Sequence, residues 1–594
     1  MSLSPLSPIQ AEVAAHQSPA QTLQDDALDR SRNAQPLEIC LFHAFIERLR
    51  ESRDPRPIPD SPWTVIFKKL TGRGDSVVYP NAPIPTATSI NSPGEEELKV
   101  ATPVDEKAEA DSSSPALQPP SDLDILNQKE TAYRLLRVAP WQVVFFLVTT
   151  DVLGPVSAPM AFAELGYGPG VLVYSFFFIL AFASGQILWR MYLHLDSELY
   201  PITCYADIGE RTFGPFVRHL FNLLQSLQLL FNVAVLIVGN GQALAAIINY
   251  KFCYVGLNVL WAVAGALVGQ VKRLRSFAPF TTINIFLSLT GMGIVLAGIA
   301  TYPPIPQMSG HLDLSEPIIR SGWVPEYTVG WYSQVGGVQL AVFAYGGAMI
   351  FPEFLAEMRR PNDFWKAAFF SQFLCYSLYM FFGLLVYSYQ GQYTSILPSL
   401  NFANAPLQLA ANVIGLVATG IAGVLYANIG VKVFYQNVLR EYFNAPALTT
   451  RHGSVIWSIT MSLYWAFAWV VGSAVPNLNA LVTLIGAACI LQFTYTFPPI
   501  LLLGFWVQKD AIVEDRPWQP GQLAWSNRVD TWRDVSRWKR GFAPYWYAKV
   551  GFIVVFLAAL SLAGLGIYAG VEIAIQAFDA SATTSFSCRA PGQP

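Results

Sequence analysis

Charge is what this chain has least of. Only 13% of its 594 residues are Asp, Glu, Lys or Arg, while 53% are hydrophobic, and so apolar a chain of that length does not fold around one soluble core. The net charge of −3 and the absence of a basic block exclude nucleic acid as a partner. The six cysteines (Cys40, Cys204, Cys253, Cys375, Cys489, Cys588) show neither CxxC nor metal-finger spacing, which argues against a zinc site or a redox motif. The six histidines are dispersed, mostly in the tail and loops, and there is no nucleophile motif and no glycine-rich phosphate loop. No enzyme is expected, and no cofactor.

Residues 1–133 also lack any run of the ~20 apolar residues that a bilayer requires, and no secretory signal pattern opens the chain. They carry 12 Lys/Arg against 20 Asp/Glu, whereas the remainder carries 25 against 20. Six Ser-Pro pairs and this acidic excess cannot offset chain entropy by burial. The expectation is a largely disordered cytoplasmic tail over 1–133, open to cytosolic regulators. Two islands differ. Leu37–Leu49 has apolar residues at helical spacing, and Trp63–Leu70 ends in a basic amphipathic turn; either could dock on the membrane part or on the inner leaflet.

From Trp141 on, long apolar stretches dominate. About eleven spans run from 141–162 through 169–190, 218–248, 253–270, 277–300, 334–355, 364–389, 406–433, 454–474 and 478–506 to 547–576. The class is an all-α polytopic membrane protein, with a transmembrane domain over 134–577 and a short extracytoplasmic tail over 578–594. With the N-terminus inside, 22 of the 25 Lys/Arg beyond residue 133 fall on the cytoplasmic side, leaving Lys251, Arg320 and Arg589 outside, as the positive-inside bias requires. Cys253 and Cys588 are then both external, so a disulfide between them is allowed.

Two spans contain breakers. Span six reads Val338 to Pro361 with Gly346-Gly347 in its middle and Pro352 beyond; span one holds Gly154-Pro155 and Pro159. Neither sequence supports a continuous helix. Hydrocarbon offers freed backbone groups no partner, so such breaks persist where protein, water or ligand satisfies them. Spans one and six each open a group of five, and corresponding broken helices point to a five-plus-five inverted-repeat carrier.

The residues at these breaks resemble the amino acid/auxin permease family, within the amino acid-polyamine-organocation superfamily. The resemblance covers about residues 130–577. It rests on Gly154…Pro159-Met-Ala-Phe-Ala-Glu-Leu-Gly166, on Phe343-Ala-Tyr-Gly-Gly…Phe351-Pro-Glu…Ala356-Glu-Met-Arg-Arg-Pro361, and on Phe493-Thr-Tyr-Thr-Phe-Pro-Pro499. It implies secondary-active, usually proton-coupled amino acid uptake by alternating access, with eleven spans. One departure is visible: where many members have Gly-x-Gly, this chain has Val152-Leu153-Gly154 followed by Pro155.

On this basis, N–H groups of Val156 and Ser157 would meet a substrate carboxylate, because a helix N-terminus favours anions. Carbonyls near Asp151, Val152, Phe343 and Ala344 would face its ammonium, and Gly154, Gly346 and Gly347 would let backbones approach. Phe343 and Tyr345 would border the side-chain pocket, although a membrane aromatic is more often packing. Asn222, Gln225, Gln228, Asn232 and Asn240 share one face of span three, and amides facing lipid are costly. Gln228, Phe231 and Asn232 are therefore candidates for lining the path. Asp151, near mid-depth, is the proton-coupling candidate; Glu353 and Lys432 either form an inner gate or simply reach water.

The transporter reading competes with a nutrient receptor built on the same scaffold. A neutral or aromatic amino acid is expected as substrate, with protons ahead of sodium as the coupling ion. The plasma membrane is expected ahead of the vacuolar one.

Overall fold

The computed structural model of the protein describes residues 37–53, 137, 139–154, 157–270, 278–305, 317–328, 330–439, 443, 445–446, 451–475, 477–512, 532–579 and 585–590. The Ser-Pro-rich stretches of the tail and its second island, Trp63–Leu70, lie outside them. Among the described residues the regular elements are helical, and the one extended contact is a parallel bridge between Ala139 and Met358.

The chain opens with α1 (Leu37–Arg53). The first span is in two pieces, α2 (Trp141–Val152) and α3 (Ala158–Leu165). Then come α4 (Tyr167–Leu195), the short amphipathic α5 (Tyr205–Phe213), α6 (Pro215–Ile247), α7 (Tyr254–Val268) and α8 (Ala278–Thr301). The sixth span is again divided, into α9 (Trp331–Ala344) and α10 (Phe351–Glu357). It is followed by α11 (Phe364–Gln390), α12 (Ala405–Phe434), α13 (Arg451–Ala474), α14 (Leu478–Ile485) and α15 (Phe497–Asp510). The amphipathic α16 (Val535–Phe542) and the last span, α17 (Trp546–Asp579), complete the list. Nine segments among the described residues are long and apolar enough to cross a membrane; the divided first span and the shorter α7 complete eleven. The chain is thus an integral membrane protein.

Local chemistry sets the boundaries that matter. Pro159 and Pro352 sit in the first turns of α3 and α10, where a missing N–H costs nothing. Gly166, between α3 and α4, has φ +81°, and a Cβ there would lie 1.9 Å from the Trp323 carbonyl oxygen. Its lack of a side chain lets Tyr167 and Gly168 donate to the carbonyls of Ser321 and Gly322 at 3.1 and 3.0 Å. The loop before α9 is thereby closed onto the end of the first span. Asn404 caps α12 by accepting from the Leu407 N–H at 3.0 Å, a typical N-cap contact.

The spans define two ends. The disulfide end carries the bonded pair Cys253–Cys588 and the loops around 317–328 and 391–404. The α1 end carries α1, α5 and residues 358–363. The first island of the tail does dock: Leu37, Ile39 and Cys40 of α1 are buried in the same apolar cluster as α2, α4, α9 and α11. Burying about that many side chains contributes several kcal/mol.

Candidate functional site

Both breaks fall where the glycines and prolines placed them. In the first span the helix stops at Val152 and restarts at Ala158. In the sixth it stops at Ala344, passes through Tyr345, Gly346 and Gly347, makes a 3-10 turn over Ala348–Ile350 and restarts at Phe351. The two breaks touch: a Cβ on Gly347 would lie 2.5 Å from Asp151 Oδ2 and 2.6 Å from Val152 Cγ2. Only a glycine permits that approach.

A residue from a third span holds the breaks together. Tyr379 on α11 is fully buried. Its hydroxyl accepts from the Gly154 N–H at 2.9 Å and lies within donating reach of two carbonyls, that of Val152 and that of Ala344, the latter at 3.1 Å. Tyr426 on α12 donates its hydroxyl to the Asp151 carbonyl at 2.6 Å. The Phe343 carbonyl accepts from the Gly346 N–H at 3.3 Å. Each of the four carbonyls expected to face an ammonium therefore has a protein partner within reach, and each has a second lone pair.

A cavity of about 270 Å³ opens beside this junction, near the lower end of small-ligand sites. Asp151, Val152, Gly154, Ser157, Asn232 and Phe343 line it, as do Ala344 and Gly346. It runs from the breaks along Asn240, Asn284, Asn412 and Thr419 to the loop at 396–399, on the disulfide end. Among the described residues, Asp151 is the one charged side chain in its wall. Among the same residues, one carboxylate oxygen of Asp151 and the buried hydroxyl of Ser157 have no hydrogen-bond partner.

The other candidate residues lie apart from the cavity wall. Tyr345 packs edge-on against Tyr379 and Tyr174, with centroids 5.5 and 6.0 Å away. Gln228 is fully buried in α6 with neither amide atom bonded among the described residues, and Phe231 packs against the main apolar cluster. Towards the α1 end, Gln225 donates to Glu353 Oε1 at 2.6 Å, so Glu353 is tied to α6. Lys432 lies at the same end, half-buried near the last turn of α12. Val156 falls outside the described residues.

Three features were not foreseen. Tyr379 and Tyr426 carry no local signal, because tyrosine is common in these spans. The tenth span is interrupted by two π-helical segments, Gly486–Ile490 and Gln492–Thr496, of the kind that often marks functional positions. Ile490, in the first of them, lines the cavity, and a Cβ on Gly346 would come within 2.6 Å of its Cγ2. Glu164 on α3 is a buried carboxylate that accepts from Asn479 Nδ2 at 3.1 Å, its other oxygen unbonded among the described residues. It lies beside Gly337, inside one of the motifs that carry the resemblance.

Eleven spans among the described residues, two of them broken along their length, and a solute-sized cavity at the breaks define a polytopic carrier scaffold. Residues 137–517 match the family described as "Transmembrane amino acid transporter protein", and the chain belongs to that family. It is 25% identical over 377 residues to a "Transmembrane transporter" of Fusarium pseudograminearum, covering 61% of this chain and 75% of that one. It is 25% identical to an "N amino acid transport system protein" of Neurospora crassa (60% and 74% covered) and 25% identical to a "Lysine histidine transporter-like 6" of Arabidopsis thaliana (66% and 89%). The family is one of amino acid transporters, not of enzymes.

Proposed function

We propose that this chain is a secondary-active carrier that moves neutral or aromatic amino acids by alternating access, coupled to protons through Asp151. The observation that carries this reading is the cavity at the touching breaks, whose one charged wall residue among the described residues is Asp151, with a carboxylate oxygen unbonded among them. The α-carboxylate of a substrate is met at the start of α3, where Ser157 offers its unbonded hydroxyl and the helix end its N–H groups. The ammonium faces Asp151 and the free lone pairs of the neighbouring carbonyls. With no cation among the described wall residues, an acidic side chain gains no partner from them; the uncharged amides at Asn240, Asn284 and Asn412 suit a neutral one.

An ionised carboxylate in a dry membrane site is costly without a counter-charge. Asp151 therefore exchanges a proton as the site passes from one face of the membrane to the other, and substrate and proton become linked through their shared preference for one conformation. Glu353 and Lys432 then belong to the gate at the α1 end. The arginine and lysine distribution supports an α1 end in the cytosol, with the tail over 1–133 outside the transport domain proper and a plasma-membrane location.

Purified protein in proteoliposomes, offered each common L-amino acid with pH and sodium varied, tests this. Asp151→Asn is expected to keep substrate counterflow but to lose accumulation against a gradient. An Asp151→Asn variant that still concentrates substrate with an unchanged pH profile would show the coupling group to be elsewhere. Binding without any translocation by the parent protein would favour a receptor instead.

A further inference from the structure

We infer that α1 is a latch: it holds the α1 end of the membrane core shut, and it must leave its seat before the two broken spans can open there. The inference rests on the alternating-access reading, but its geometry is independent of the substrate. The cavity extends from the breaks towards the disulfide end, and none of its lining residues belongs to α1, α5 or 358–363, so the closed end is the one that α1 covers.

The seat of α1 is charged at its centre. Arg48 of α1 reaches Asp196, just past the end of α4, with Nη2–Oδ2 at 2.9 Å and the Asp196 carbonyl at 3.3 Å. Arg137 grips the same carboxylate with both Nη atoms at 2.9 Å and donates to the Tyr192 hydroxyl at 2.9 Å. Glu51 of α1 completes the cluster, 3.1 Å from Arg48 and 3.8 Å from Arg137. Asp196 is fully buried, and Arg48 and Arg137 are nearly so. Charge-assisted contacts of this kind are the strong ones.

What makes this more than an anchor is where Arg137 leads. Two residues on, Ala139 pairs with the far end of the sixth span: its N–H donates to the Glu357 carbonyl at 2.9 Å and its carbonyl accepts from the Arg359 N–H at 3.0 Å. Two residues further, α2 begins. One short segment thus ties the α1 cluster to the first piece of span one and to the last piece of span six. Those are the pieces that must separate from their surroundings to open this end. While α1 is seated, Arg137 is held from both sides and neither piece can swing freely. Buried ion pairs contribute little net stability compared with apolar packing, and their better-attested use is to specify one of two arrangements; an aqueous cytosolic face supplies the alternative solvation that lets this cluster part.

The test clamps the latch shut without touching the transport site. Exposed Arg50 and partly exposed Glu198 pair across the same contact, 3.5 Å apart. A double variant, Arg50→Cys with Glu198→Cys, is joined by a short bis-maleimide; the four free native cysteines are buried, and the parent treated alike is the control. Hydrogen exchange of the α10 amides reports opening of the α1 end, and uptake of a labelled mixture of the common L-amino acids reports the full cycle. The joined protein is expected to lose uptake and to slow α10 exchange, whereas Arg48→Ala speeds that exchange about tenfold, as loss of a charge-assisted contact implies. Equal α10 exchange in the joined, parent and Arg48→Ala proteins, or uptake by the joined protein at the parent rate, overturns the latch. Absence of uptake from the parent itself speaks against the transport reading alone, and the exchange data then decide the latch.

Discussion

The two ends of the molecule are built with different chemistry. From the breaks towards the disulfide end, the polar groups on the cavity wall are mostly neutral amides and hydroxyls, such as Asn240 accepting from Thr419 at 2.6 Å, and a covalent bond pins Cys253 to Cys588. At the α1 end, contacts between formal charges do the closing: Arg48 and Arg137 on Asp196, Arg218 near Asp207 and Glu210, and Lys549 with Asp510. A neutral wall binds a solute without demanding a counter-charge. A charged closure is firm when dry and weak when wet, because water screens and solvates its members. That contrast suits one end as a vestibule and the other as a gate.

Three experiments would break or sharpen the contrast, beginning with the largest effect. Neutralising the hub by Asp196→Asn removes the carboxylate that two buried arginines share, and removal of one partner from such a cluster costs about 3–5 kcal/mol. Thermal unfolding and protease cutting within α1 should both register the loss, and an unchanged melting profile would show the ion cluster to be incidental. Gly347→Val puts bulk where Asp151 and Val152 already fill the space, and overpacking of this kind costs about 1–3 kcal/mol, or up to about 100-fold in affinity. Uptake should collapse while surface labelling shows normal insertion; a well-inserted variant with ordinary uptake would place the site away from the breaks.

The smallest effect is a pH dependence of α1 docking. Burial pushes the Glu51 carboxyl up to about 7, outweighing the attraction of Arg48 and Arg137, with Glu47 and Asp196 adding to the rise. Tyr192 is the other titratable group coupled to it among the described residues. The docked state therefore holds the proton more tightly than the free tail. Docking is firmest in acid and weakens as pH rises through about 7. Proteolytic release of α1 should increase between pH 6 and pH 8 by a factor of several, on the order expected for one group titrating in that range. Glu51→Gln should flatten the profile, and a parent protein with no such slope would remove Glu51 from the seat.

Much of this was legible before any coordinates. Hydropathy marks spans because each must present about 20 apolar residues to lipid, and Gly346-Gly347 and Gly154-Pro155 mark breaks because backbone torsions and missing donors are local properties. The amphipathic island at Leu37–Leu49 announced α1 in the same way, though not its partners. Tyr379 shows the limit. It lies 225 residues from Gly154 and 35 from Ala344, and nothing near it in the chain distinguishes it from the other tyrosines of the spans.

By itself, then, the sequence determined the membrane class, the number of crossings, the two broken spans and the one carboxylate beside them, since each follows from the composition of a short stretch and the solvent it must meet. Only the tertiary structure decided that the two breaks touch at Gly347 and Asp151, that a tyrosine from a third span bridges them, that the tenth span is wound into π turns, and that Arg48 and Arg137 share one buried carboxylate. Those are pairings between distant segments, and their energies depend on a distance of a few ångströms that no local pattern encodes.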